Sequence, residues 1–342
     1  MITPIRLPTL FSCIVLLHLL AACGDPPFTE YRLAGPTMGT QFTVAIAAGS
    51  GIEKEHLRQQ IHAALADVDE RMSTFRADSE VARFNRSLST DWMPVSLQLC
   101  DAVARSLELS VLTGGAFDIT IGALVNLWGF GPADARIAPP ADADIDAAKL
   151  ITGFDKLHAD CDRPAIRKDH ADLHIDLSGY AKGLAADNIA ILLDESGIAN
   201  FLVEVGGDLH ARGHNADGLE WRVAIEKPDG NGRMVKKIIR LSEGSVATSG
   251  DYRNYFESDG QRYSHTIDPA TGRPVIHQLA SVTVVSYSAA HADALATALM
   301  VLGPENGLAF AERQGLAAYF LLREGNEITQ RASTQFELLS GR

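Results

Sequence analysis

The sequence predicts an α+β fold, with largely antiparallel or mixed sheets flanked by helices. Strand-like runs outnumber helical ones and bunch together instead of alternating singly with them, which argues against a doubly wound parallel sheet. Residues 31–47 and 318–331 each double back about a short turn, the mark of antiparallel neighbours. Helical periodicity is confined to a few long segments that could cover such a sheet.

In chain order, residues 31–47 alternate about a turn with Met38-Gly39-Thr40 near the tip of the hairpin. Leu57, Ile61, Leu65, Val68 and Met72 recur at helical spacing, so 52–72 reads as a long amphipathic helix. Ser79 is placed to cap a short helix over 79–85. Residues 95–113 form a helix closed by Gly114-Gly115, and 117–121 then run extended. Further on, 165–175 reads as a hairpin and 180–195 as a helix ending at Gly197. Strands follow at 201–205, 221–226, 238–241 and 281–287. Helices at 290–302 and 305–314 precede a last hairpin, 318–322 with 327–331, turning at Gly325-Asn326.

The N-terminus has a different character. Arg6 precedes a largely apolar run over 7–20 with one His18 in it, and Leu20-Ala21-Ala22-Cys23 then matches a bacterial lipobox. The run is too short to span a bilayer comfortably, so 1–22 reads as a cleaved signal peptide, Cys23 as the lipidated residue and 23–30 as a tether. An uncleaved membrane anchor is the alternative. On the lipobox reading the body from 31 to 342 lies outside the cytoplasm, held by acyl chains.

Formal net charge is -13, and loss of 1–22 removes one cation (Arg6) and no acid, giving -14. With no basic run anywhere, such a surface excludes nucleic acid as a partner. A polyphosphate ligand would need a cation and local donors. Cys100 and Cys161 remain in the body; an oxidising compartment permits a disulfide, but the sequence leaves their proximity open. The absence of C-x-x-C argues against zinc and thiol redox chemistry. Residues 131–146, rich in Pro, Ala and Asp, read as a solvent-exposed excursion.

Four segments could carry chemistry. In His291-Ala292-Asp293-Ala294-Leu295-Ala296-Thr297 an otherwise apolar helix places a carboxylate and a hydroxyl one turn apart on one face. Buried, that carboxylate needs a cation or a donor, and a hard ion such as Mg²⁺ accepts such oxygens. An Asp favoured by the helix dipole beside a Thr bonded to its own helix explains the pattern as well. Asp176-Leu177-Ser178-Gly179-Tyr180-Ala181-Lys182-Gly183 is a small-residue turn at a helix start, where free amides and Lys182 suit a phosphate; a plain capping turn is the alternative. Val205-Gly206-Gly207-Asp208 allows close backbone approach to a ligand or marks a bulge, and 246–251 is a small-residue turn without a nucleophile elbow. His265, three residues before Asp268-Pro269, is a candidate base or an ordinary surface histidine. Phe75 and Phe117 could border a planar ring or pack in a core.

Together these segments resemble the ApbE family, the FAD:protein FMN transferases. The resemblance is carried by Met38-Gly39-Thr40, Met72-Ser73-Thr74-Phe75 with Asp78-Ser79-Glu80, residues 115–120, 176–183, 205–208, 247–251, 264–274 and 292–299, in family order from about Tyr31 onward. It implies an ApbE-like, T-fold-like architecture and a flavin transferase domain over 31–342. It also implies FAD as substrate, Mg²⁺ as cofactor, transfer of FMN to a Thr hydroxyl of an acceptor protein, and release of AMP. Asp293 and Thr297 would then bind Mg²⁺ with backbone oxygens near Gly179 and Ala296. Met38, Phe75, Ala116, Phe117, Asp118, Asp176, Lys182 and the backbone at Ile267 would line the FAD, and His265 would be the base. Acceptors would be flavoprotein subunits of membrane redox complexes, such as sodium-pumping quinone reductases, and the location the periplasmic face of the bacterial inner membrane. FAD hydrolysis to FMN and AMP, or FAD binding without chemistry, are the competing activities. Phe75 stands where many members carry Tyr, and Tyr180 where Ile often follows the Gly.

Overall fold

The computed structural model describes residues 28–341, apart from 50, 133–135, 137, 228–233, 252, 253 and 326. The signal segment, Cys23 and 24–27 lie outside the described residues. The first half of the chain contributes β1 (Thr29–Thr37), β2 (Thr40–Ala48), α1 (Lys54–Met72), α2 (Glu80–Arg86), β3 (Met93–Pro94), α3 (Leu97–Leu112), α4 (Gly122–Leu127), α5 (Asp142–Ile151), β4 (Leu157–Asp160), β5 (Ala165–Lys168) and α6 (Ser178–Glu195). Next come β6 (Phe201–Val205), β7 (Asp208–Arg212), β8 (Trp221–Lys227), β9 (Met234–Leu241), β10 (Glu243–Gly250), β11 (Tyr255–Ser258), β12 (Gln261–Ser264), β13 (Ile267–Asp268) and β14 (Arg273–Pro274). The chain closes with β15 (Leu279–Ser286), α7 (Ala289–Gln314), β16 (Ala317–Glu324), β17 (Glu327–Ala332) and α8 (Thr334–Ser340).

One sheet organises the molecule. Its order is β1-β2-β6-β7-β10-β15-β16-β17, and every neighbouring pair is antiparallel. Period-2 alternation sends side chains to two separate cores. On β16, Ala318, Phe320 and Leu322 join the core under α1, α6 and α7, while Ala317, Tyr319 and Leu321 join Trp221, Val223, Ile239 and Phe336 of β8, β9 and α8. Both faces are thus dry, which is why β16 reads as an unbroken apolar run. A third small cluster, Trp128, Ile145 and Ile267 with Phe256 and Tyr263 against it, fastens α4 and α5 to the small hairpins that carry His265.

The two helices predicted at 290–302 and 305–314 are the two arms of α7, which break at the non-helical Gly303 (φ 76°, ψ −178°) before Pro304. By length and composition α7 could cross a membrane, yet much of it is buried inside the fold. It lies tightly on α6: a Cβ on Gly183 would stand 2.3 Å from the Ala289 carbonyl oxygen, so no side chain fits there. This close approach brings the start of α6 beside the first turns of α7.

Several expectations need correction. Residues 117–121 are not extended: Asp118 Oδ1 accepts from Thr120 N and Thr120 Oγ1, closing an Asx turn that competes with strand pairing. The hairpin placed at 165–175 is instead β4 with β5, because the pairing partner lies upstream at Leu157–Asp160. Residues 246–251 are mostly strand β10, and β7 follows the Gly206-Gly207 turn directly; small residues hid both. Within 131–146, the residues from Asp142 onward belong to α5, which buries Ile145 and leaves Asp142, Ala143, Asp144 and Asp146 exposed. The proximity of Cys100 and Cys161 is resolved: they form a disulfide between α3 and the turn after β4. With a sequence separation of 61 residues, the link contributes about 2–4 kcal/mol.

Candidate active site

The site forms where the N-terminal ends of α6 and α7 meet the β1–β2 tip, the β6–β7 turn and the end of β10. Asp293, in the second turn of α7, is 4 % exposed, and its Oδ2 accepts a hydrogen bond from Lys182 Nζ at 2.9 Å. Lys182 also donates to the Ser178 carbonyl at 3.1 Å. Asp208, 2 % exposed at the start of β7, presents Oδ2 at 3.1 Å from the same ammonium; this is an ion pair without hydrogen-bond alignment, and no donor satisfies that oxygen. Burial works against the Lys182 charge, but Asp208 and Asp293 outweigh it and hold the ammonium above its ordinary range. Burial, with Asp293 nearby, pushes the Asp208 carboxyl well above the usual carboxylate range.

Two buried acids share one ammonium whose stem is partly exposed, so the second acid is left without a cation of its own. Such a cluster attracts a further cation. Oxygen donors of the right hardness stand beside it. Thr297 Oγ1 lies 3.3 Å from Ser249 Oγ, and a Cβ placed on Gly179 would reach to 3.0 Å of Thr297 Oγ1 and 3.4 Å of the Phe117 ring. Gly179 has non-helical φ/ψ (−86°, 17°) inside α6, and the bare glycine lets its backbone press against Thr297. The residues present therefore fit a hard divalent ion, with Asp293, Thr297 and the Gly179 and Ala296 backbone oxygens as donors. Among the described residues no group of three His, Cys, Asp or Glu side chains could hold a metal, so zinc-type ligation is not offered.

The other predicted residues fall into distinct environments. Met38 occupies the β1–β2 turn with φ 46°, followed by Gly39 at 70°, the two-residue turn that matches strand twist. Its neighbour Thr40 lies against Gly206, whose added Cβ would stand 3.0 Å from Thr40 Cγ2. Ala116 and Phe117 are buried, whereas Phe75 is 69 % exposed on the loop after α1. Asp118 uses both oxygens internally, since Oδ2 also accepts from Phe154 N at 3.0 Å, and burial raises its pKa. Asp176 is held from both sides: its N donates to Ile119 O at 2.7 Å, and its Oδ1 accepts from Ser178 N at 2.8 Å. The segment leading to it is clamped by Asn85, whose side-chain amide pairs with Ile175 N and O, both at 2.8 Å. Ile267 is buried and paired with Pro274.

His265 is defined by one neighbour. Its Nδ1 lies 3.0 Å from the Asn254 carbonyl, which can only accept, so Nδ1 carries the proton and Nε2 presents a lone pair. Burial lowers its pKa below the ordinary 6.5; the Asn254 carbonyl opposes this, and the Lys182 charge adds to the lowering. The Asp176 charge acts on the ring in the opposite sense to Lys182.

Sequence reasoning had not placed Asp208, Ser249 or Asp187 among the site residues. Asp187 of α6 accepts from Ser288 Oγ, Ala289 N and Ala290 N at 2.7–3.0 Å, tying the start of α7 to α6. The acid at the end of Gly206-Gly207-Asp208 was the one available signal. Asp187 had none, because its partners, His210 and the Ser288–Ala290 cap of α7, lie 23 to about a hundred residues away.

A lysine held between two buried acids, beside a pair of hydroxyls, makes a polar centre suited to a charged ligand, as in a group-transfer enzyme. The chain belongs to the ApbE family, whose model matches residues 38–320. It is 43 % identical over 322 residues to an FAD:protein FMN transferase of Vibrio cholerae, covering 94 % of this chain and 96 % of that one. It is 43 % identical over 307 residues to one from Escherichia coli K12, covering 89 % and 88 %. Among solved structures it is similar to the flavin transferase ApbE from Vibrio cholerae (TM-score 0.85, 41 % identity, 92 % of this chain and 100 % of that chain). The apo flavinyl transferase ApbE of Pseudomonas stutzeri matches with TM-score 0.84 and 43 % identity over 92 % and 98 %.

Proposed function

We propose that this chain is an FAD:protein FMN transferase, which moves the FMN half of FAD onto a threonine hydroxyl of an acceptor flavoprotein and releases AMP. The observation that carries the reading is the Lys182 ammonium held between Asp208 and Asp293, with the Thr297 hydroxyl one helical turn further on, beside that of Ser249. In an acidic protein that group of residues suits a diphosphate, and the similarity to flavin transferases over most of the chain supports FAD as its source.

Lys182 at the start of α6 binds the diphosphate oxygens. His265 Nε2 accepts the proton of the acceptor hydroxyl as its oxygen bonds to the FMN phosphorus, and the bond from that phosphorus to AMP breaks. Magnesium held by Asp293, Thr297 and the Gly179 and Ala296 carbonyls supplies neutralisation of the diphosphate charge when bound. Met38, Ala116, Phe117 and Phe75 offer apolar surface to the flavin and adenine rings, and the backbone at Ile267 flanks them.

Incubation of the full-length protein with FAD, Mg²⁺ and candidate acceptor domains is expected to produce the acceptor mass plus FMN less water, with AMP in equal amount. AMP and FMN released without an acceptor would instead indicate an FAD pyrophosphatase, and flavin binding without either product a non-catalytic FAD-binding lipoprotein.

The lipobox and the disulfide support a lipid anchor at Cys23 and an oxidising compartment, the periplasmic face of the bacterial inner membrane. Acceptors there are subunits of membrane redox complexes. Cys23→Ala is expected to move the protein from the membrane to the soluble fraction; retention in the membrane would exclude the lipid anchor.

A further inference from the structure

The Gly206-Gly207 turn is shaped around Lys182. Gly206 has φ 60° and Gly207 φ 100°, and a Cβ on Gly206 would stand 3.1 Å from Lys182 Cδ. The turn therefore lies along the lysine stem and delivers Asp208 to its tip. The ammonium has three protons. One goes to Ser178 O and one to Asp293 Oδ2, while Asp208 Oδ2 waits at 3.1 Å with no donor aligned to it. Lys182 and a divalent cation compete for Asp293. A second carboxylate at the ammonium shifts that competition, because it gives Lys182 a partner when Asp293 turns to the metal.

We propose that Asp208 is a positioning residue: it holds the Lys182 ammonium so that Asp293 is released to a divalent cation while the ammonium stays aimed at the diphosphate. This rests on the site reading above. Without Asp208, Lys182 would fall back wholly on Asp293, and metal binding would have to break that pair.

The test reads metal binding to the full-length protein without flavin, using Mn²⁺ followed by electron paramagnetic resonance. Asp208→Asn is expected to weaken Mn²⁺ binding by about tenfold. The same substitution in a Lys182→Met background is expected to cost at least about threefold less, since no ammonium remains to compete. Asp208→Glu reads the same coupling, with a smaller loss, if the Asn variant does not fold. Equal losses in the two backgrounds would mean that Asp208 acts as a bare charge and would overturn the inference alone. A wild-type protein without Mn²⁺ affinity would overturn the site reading as well.

Discussion

Asp293→Ala is expected to abolish transfer of FMN to an acceptor while leaving the fold intact. Asp293 is the buried acid that accepts from Lys182, and on the proposed function it would offer oxygen to a divalent ion. Its loss should lower the rate by at least about a hundredfold, the scale seen when an electrostatic group at a reacting centre is removed. The fold survives because Lys182 keeps Asp208 and Ser178 as partners. Labelling of the acceptor, followed by mass at saturating FAD and Mg²⁺, measures the loss, and thermal denaturation checks the fold. If wild-type labelling persisted undiminished under a chelator, the metal role of Asp293 would be refuted.

His265→Ala is expected to reduce transfer by about 10²–10⁴-fold, the usual contribution of a positioned general base, with flavin affinity nearly unchanged. The ring donates to the Asn254 carbonyl through Nδ1 and sets its edge against Phe130, and among the described residues Nε2 has no hydrogen-bond partner, so its removal disturbs chemistry more than packing. The pH dependence carries a sign. Because burial lowers the His265 pKa, the neutral base form persists below the ordinary value of 6.5. Activity should therefore hold as pH falls through 6.5 and decline only further into acid, and the His265→Ala variant should lose that limb. Flavin binding and acceptor labelling measured together decide the matter: labelling unaffected by the substitution would favour a flavin carrier without chemistry.

The local elements were readable because each is governed by neighbours in sequence. Leu57, Ile61, Leu65, Val68 and Met72 are the buried face of α1, Ser79 caps α2, and Gly114 and Gly197 end their helices with positive φ. Met38-Gly39 makes the hairpin tip where it was expected. Misreadings fell where side chains are small or the partner is distant. β10 is built of Glu243-Gly244-Ser245-Val246-Ala247-Thr248-Ser249-Gly250, whose weak strand preference yields to ladders with β7 and β15 on either side. The Asp118 carboxylate closes a turn by bonds that no periodicity reveals.

By itself the sequence determined the class of fold, the apolar helix with its lone carboxylate and hydroxyl, the family motifs and the acidic surface. Those properties follow from residue type and short-range spacing. Only the tertiary structure decided that Lys182 lies between Asp208 and Asp293, that Thr297 meets Ser249 and Gly179, and that Cys100 reaches Cys161. Each of those contacts joins residues tens of positions apart or more. Their formation depends on the packing of α6 and α7 against one antiparallel sheet, which no local pattern encodes.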